Sequence, residues 1–327
     1  LSNIVAGQDV HSEWGGVVPE LASRAHHQHI IPVVDKAIKT AGINKGQINA
    51  VAFTRGPGLM GPLLVGTQFA KAFSLANNIP LIEVNHMQAH VMAHFIEDPK
   101  PKLPFLCLTA SGGHTQIVLV EGPLKTKLIG QTRDDAAGEA FDKVGRLLGL
   151  SYPGGPAIEK IAKNGDPMKF DLPKCRISDK KGGFLKYDFS FSGLKTAVLR
   201  LVEKINLDGK TVPVPDIAAS FERVVAEVLV ERTIRCAIDH SLDNIVVVGG
   251  VAANNTLRKM MISEANKKSI KVHLAPLNLC TDNAAMIGAA ALFRIKFKDH
   301  LSSLKLGVSG RLSIEQANTL YEENPPF

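Results

Sequence analysis

The sequence predicts an α/β fold, and three observations carry that expectation. Short β-rich segments at residues 48–54, 105–109, 116–120 and 244–248 alternate with segments at 32–41, 66–76, 218–237 and 284–293. In the second set apolar residues recur at a helical spacing, and such alternation is what helices connecting the strands of a sheet produce. Glycine-bearing turns follow the strands, as at Gly56, Gly58 and Gly61, Gly112 and Gly113, and Gly249 and Gly250. Finally, 327 residues that are 45% hydrophobic, with mean hydropathy +0.07, suffice for a large core and suggest two lobes.

Composition narrows the function classes. No apolar run approaches the roughly 18 residues needed to cross a bilayer, so no membrane association is expected. The formal charge of +7 and pI of about 9.2 favour a polyanionic partner, although mild basicity alone does not specify one. Cys107, Cys175, Cys236 and Cys280 form no CxxC pair, which argues against a thiolate zinc site or disulfide scaffold and for a reducing, cytoplasmic setting. No signal-peptide pattern follows Leu1, but the chain does not begin with Met, so an organellar leader stays open.

Along the chain, the first chemically suggestive cluster is Asn85-His86-Met87-Gln88-Ala89-His90. His86 and His90 stand four apart, which on a helix places both imidazoles on one face, as a divalent metal requires. Gln88 and Met87 occupy the inner positions, so this is not the zincin HExxH arrangement, and a bare HxxxH also arises by chance. His94 is a third ligand or the next surface turn; His26, His27 and His29 read as surface histidines. Next, Thr109-Ala110-Ser111-Gly112-Gly113-His114-Thr115 joins two strands. It is either a plain hairpin or a turn whose amides and hydroxyls meet a phosphate or carboxylate.

Asp135, Glu139 and Asp142 fall at i, i+4 and i+7, a single helical face that needs a cation, ligand or backbone donors to balance it. Capping by Asp134 or Asp135 is the structural alternative. Tyr152-Pro153-Gly154-Gly155-Pro156 reads as a tight turn, and residues 165–188, with Asp179, Lys180 and Lys181, as a long solvated loop. Residues 245–257, IVVVGGVAANNTL, run a buried strand into Gly-Gly and a helix start, a nucleotide-loop layout without GxGxxG or Walker spacing. Asp282, just before the helix at 284–293, is a helix cap or the oxygen ligand that a two-histidine metal site needs.

Nine segments in order resemble the tRNA threonylcarbamoyladenosine transferase family (TsaD/Kae-type, once called glycoproteases), bacterial or organellar branch. They are GGVVPELASRAH from Gly15, TRGPGLMGPLLVG, NHMQAH, SGGHTQ, DDAAGEAFDK, YPGGP, FSFSGLKT, GGVAANNTLR and CTDNAAM. The resemblance implies a two-lobed actin/Hsp70/sugar-kinase-like fold with its ligand between the lobes. We expect residues 1–104 plus 294–327 in one lobe and 105–293 in the other. It further implies iron or zinc held by His86, His90 and Asp282. Threonylcarbamoyl-AMP, or a related adenine nucleotide, would be held by Thr109, Ala110, Ser111, Gly112 and Gly113 with Asp142, Gly155, Glu159 and Asn254. Glu159 matches a position that is Asp in some relatives. Glu139 or Asp135 is the expected proton acceptor. The implied partners are tRNA, a paralogous actin-like subunit (TsaB-type) and a small ATPase (TsaE-type), or a second copy in an organellar homologue.

Two departures stand out: Asn85 replaces the first His of a His-His pair seen in many relatives, and the phosphate turn with which relatives begin is absent. A metallopeptidase, a nucleotide-gated scaffold subunit and a small-molecule kinase are the competing readings. The lack of HExxH counts against the first, and the full His/His/Asp set counts against the second.

Overall fold

The computed structural model describes residues 1–7, 16–122, 125–179, 182–298 and 302–316. Gly15, Lys180 and Lys181 lie outside them. The chain divides into two compact units: residues 1–100, 121–127 and 281–327 form the first, and residues 101–120 and 128–280 the second.

In the first unit a parallel pair, β1 (Val51–Gly56) and β2 (Leu81–Asn85), is joined by helix α2 (Met60–Asn77). Helix α1 (Pro19–Ala41) begins with Pro at its first turn, where the missing N–H is unneeded, and ends on Gly42 at φ 68°. It packs on α2. The expected helices at 32–41 and 66–76 are the later parts of these two. Helix α3 (His86–Met92) leaves β2 directly, and α10 (Ala284–Lys298) packs against α3, β1 and β2. That packing explains why the last helix joins the first unit, whereas the sequence placed residues up to 293 in the second lobe. Glu83, buried on β2, pairs with Arg55 at 2.8 Å and lies 3.9 Å from the buried Arg294 of α10.

The second unit is built on a five-stranded sheet of order β5-β4-β3-β6-β7. Its strands are β3 (Phe105–Ala110), β4 (Thr115–Gly122), β5 (Lys125–Gln131), β6 (Asn244–Val248) and β7 (Lys271–Leu274). β3 and β4 form an antiparallel hairpin; β3–β6 and β6–β7 are parallel. Every residue of β3 and of β6 is buried, which accounts for their unbroken apolar runs.

Helix α7 (Val214–Asp239) packs on β3, and α5 (Gly154–Ala162) and α8 (Asn255–Asn266) pack on α7. Sixteen residues of α7 are buried, so its apolar pattern runs around most of the helix rather than along one stripe. Helix α4 (Ala137–Leu147) lies beside α5 and α6 (Ser192–Leu207), and the single turn α9 (Leu277–Cys280) ends the unit. Residues 165–179 and 182–188 are irregular apart from the isolated bridge Ser178–Phe184, as expected for a long loop.

Candidate metal centre and ligand turns

In the first unit, Asn85 ends β2 and caps α3: its Oδ1 accepts from Met87 N at 2.9 Å and Gln88 N at 3.1 Å. Its Nδ2 donates to the carbonyls of Leu312 and Ser313. The helix so started brings His86 and His90 together, with ring centroids 4.7 Å apart. Asp282 Oδ1 lies 3.5 Å from His86 Nε2 and 3.1 Å from His90 Nε2, and the three ligand atoms fall within 4.8 Å of one another.

His90 is 1% exposed and neither of its ring nitrogens makes a directed hydrogen bond, the approach to Asp282 being close but off the hydrogen-bond direction. A buried imidazole without a partner is costly unless something else binds it. Two imidazoles and a carboxylate suit iron or zinc, with coordination positions left open for substrate or water. The cap position at the start of α10 is held by Asn283, whose Oδ1 accepts from Met286 N at 3.0 Å. His94 lies buried in the turn after α3 and outside the metal-like group, while His26, His27 and His29 are exposed on α1.

In the second unit the SGGHT turn is a hairpin connection, closed by Ser111 N donating to His114 O at 2.8 Å. It is also pressed against α4: Gly138 N donates to Ser111 O, and Ala137 N to Thr115 Oγ1 at 2.9 Å. A Cβ on Gly138 would stand 2.7 Å from Ser111 O, and one on Gly249 (φ 95°) would stand 2.3 Å from Ala110 O. Only glycine allows either approach.

The expected one-face row of acids is corrected, because α4 starts after Asp135. Ala136 is the N-cap residue, and Glu139 Oε2 reaches back to its N–H. Asp135 instead pairs with Lys143 at 2.8 Å and Lys195 at 3.6 Å, while Lys143 also reaches Glu139 at 2.9 Å. The bonds from Asp135 and Glu139 raise the Lys143 pKa above the usual lysine value. Asp134, the other expected cap, accepts from Ser190 Oγ, Ser192 Oγ and Phe191 N, fastening the FSFSG segment. Burial works against its charged form, but those hydrogen bonds prevail and its pKa lies below the ordinary aspartate value.

The remaining residues tie one helix to the start of the next. Asp142 accepts from Gly154 N at 2.8 Å, so YPGGP is the start of α5 rather than a free turn. Burial raises the Asp142 pKa; the Gly154 bond opposes this and the Glu139 charge adds to it. Glu159 on α5 accepts from Asn255 N and Nδ2. Asn254 caps α8 by accepting from Leu257 N at 2.9 Å, and its Nδ2 donates to Glu222 at 2.7 Å. Gly155 lies in the first turn of α5. The 109–113 turn thus meets the start of α4, α4 holds the start of α5 and α5 holds the start of α8 by direct contacts. Helix N-termini with free N–H groups favour an anionic ligand.

Sequence reasoning missed the capping roles of Asn85 and Asn283 and the bonds made by Lys143 and Glu222. Glu222 left a signal: it is the lone acid among Ile217, Ala218, Phe221 and Val225, on a face that has to be buried.

Among solved structures, full-length HypF in its phosphate- and nucleotide-bound form matches with a TM-score of 0.56 and 14% identity, covering 83% of this chain and 42% of that one. A likeness at that identity shows the fold, which is of the actin/Hsp70/sugar-kinase-like class. Proteins named tRNA N6-adenosine threonylcarbamoyltransferase from Prochlorococcus marinus strains MIT 9312 and MIT 9301 are 73% and 70% identical, covering 100% of this chain and 92% of each relative. The family model TsaD, tRNA N6-adenosine threonylcarbamoyltransferase, matches residues 1–289. The chain belongs to this family of transferases that modify adenosine in tRNA.

Proposed function

We propose that the protein transfers a threonylcarbamoyl group from threonylcarbamoyl-AMP to the exocyclic amine of the adenosine next to the anticodon, and that His86, His90 and Asp282 hold the iron or zinc it uses. The observation that carries the metal assignment is His90, buried and without a directed hydrogen bond beside two further ligand groups. A divalent metal so held supplies Lewis-acid polarisation of the carbamoyl carbonyl.

The chain's own groups account for the rest. The Gly112 and Gly113 amides of the 109–113 segment and the starts of α5 and α8 bind the adenylate phosphate and stabilise the charge that grows on it as AMP leaves. The amine nitrogen bonds to the carbamoyl carbon, the bond from that carbon to the phosphate oxygen breaks, and the amine proton passes to a carboxylate. Asp135 is committed to two lysines, so Glu139, more exposed and held by Lys143 alone among the lysines, is the better acceptor. An exocyclic adenine amine is a weak nucleophile, so orientation contributes much of the acceleration.

The tRNA is held mainly through phosphates. The second unit carries 24 Lys and Arg against 18 Asp and Glu, net +6, and the first 14 against 13, net +1. Likeness to the family supports a TsaB-type subunit and a TsaE-type ATPase as partners, which co-purification with tagged protein tests. No helix among the described residues is long and apolar enough to cross a membrane.

The functional test is chelation. Metal-stripped protein, supplied with its partners, unmodified tRNA and threonylcarbamoyl-AMP, should make no modified adenosine until iron or zinc is restored. Full transfer by protein shown to be metal-free would overturn the metal assignment.

A further inference from the structure

We propose that Glu222 is the positioning residue of the ligand site, fixing the amide of Asn254 in the single orientation in which it can serve the nucleotide. This rests on the reading above that Asn254 contributes to that site. Glu222 lies on α7, 6% exposed, in a stretch otherwise given over to core packing. Its two oxygens are divided between neighbours on one segment: Oε1 accepts from Asn254 Nδ2 at 2.7 Å and Oε2 from Thr256 Oγ1 at 2.8 Å.

An asparagine amide has two nearly equivalent orientations, and its hydrogen-bond partners decide between them. Here Oδ1 faces the N–H of Leu257 as the helix cap, and Nδ2 faces the carboxylate. Turning the amide over would set its oxygen against Glu222 and its NH₂ against a backbone N–H, two repulsive contacts replacing two charge-assisted or capping bonds. The second Nδ2 hydrogen is then the one donor Asn254 retains for a ligand.

The same carboxylate anchors the start of α8 through Thr256. Arg258 holds the preceding turn by donating to Ala252 O at 3.0 Å. A buried acid among apolar neighbours would be destabilising without such partners. Core packing explains no part of placing Glu rather than Leu or Met there.

The experiment measures binding of AMP by calorimetry, together with KM and kcat for threonylcarbamoyl-AMP, metal content and melting temperature. Glu222→Ala should raise the AMP Kd about tenfold, the loss expected when one oriented hydrogen bond goes free. The kinetic change should fall mainly on KM, with metal content kept. Glu222→Gln should stay within about threefold of wild type, because its oxygen still accepts from Asn254 and its NH₂ can donate to Thr256.

Combining E222A with N254A should weaken binding no further than N254A alone, since one residue acts through the other. If E222A does not fold, Thr256→Val, which frees one side of the carboxylate, should weaken AMP in the same direction by about twofold to fivefold. Wild-type AMP affinity in the folded E222A protein, or additive losses in the double variant, would overturn the proposal. Wild-type affinity in N254A would instead remove Asn254 from the site, and the proposal with it.

Discussion

At the scale of single residues, the acids around α4 divide by partner. Asp134 is held by two serine hydroxyls and a backbone N–H, and its lowered pKa reports that the charged form is stabilised in the fold. Because the folded pKa lies below the unfolded one, this stabilisation is present above the ordinary aspartate value and is lost as pH falls through the folded pKa. Asp134→Asn should therefore cost about 1 kcal/mol or less at neutral pH, because solvent screens this exposed carboxylate, and flatten the loss of stability below pH 4 in urea titrations. An unchanged acid limb would show that Asp134 is not the group responsible.

Glu139 makes the opposite kind of prediction, on rate rather than stability. Glu139→Gln keeps the side-chain acceptor facing the Ala136 N–H but removes the base, so single-turnover transfer should fall about a hundredfold or more with little change in melting temperature. Undiminished transfer would rule this residue out.

How much was legible at this scale depended on whether a residue's role is set by type and spacing or by distant partners. His86 and His90 carry their geometry in their spacing along one helix. The role of Asp282 could not be decided that way, because its neighbours are 196 and 192 positions away and only folding brings them to 3.5 and 3.1 Å. Asp135 was misplaced on the α4 face because helix starts are decided locally, and here the helix begins two residues later than the acid spacing implied, at Ala137.

At the scale of elements, the second unit depends on close approaches that only small residues permit. The hairpin turn after β3 meets the first turn of α4 at Gly138 and the turn after β6 at Gly249. Gly138→Ala would drive its Cβ to 2.7 Å from Ser111 O, so α4 has to shift away from the turn. AMP binding should weaken about tenfold or more, while metal content, which the proposed centre places on α3 and Asp282, stays at wild-type levels. Equal loss of metal and AMP would indicate general unfolding and contradict this division.

Strands and helices themselves were readable. Segments 105–109 and 244–248 are continuous apolar runs, and the structure buries every position of β3 and β6. The start of α5 was not, because Pro153-Gly154-Gly155 is turn chemistry by composition. It becomes helical only when the Asp142 carboxylate takes the Gly154 N–H.

For the whole molecule, the excess charge sits almost entirely on the second unit, net +6 against +1. Affinity for tRNA should therefore fall steeply with salt. Reversing charge at the exposed Lys160 and Lys259 should weaken tRNA binding more, at matched salt, than reversing Lys36 and Lys45 of the first unit. Equal losses from both pairs would mean that the asymmetry does not direct binding.

The central claim, that His86, His90 and Asp282 form the metal centre of a threonylcarbamoyl transfer enzyme, is tested most directly by one comparison. Wild type and His90→Ala would be given the partner proteins, threonylcarbamoyl-AMP and unmodified tRNA, and the nucleosides of the recovered tRNA separated and counted. Wild type should produce the modified adenosine, while the variant, still folded and still binding AMP, should produce less than about 1% as much. Equal product from a folded variant would contradict the account.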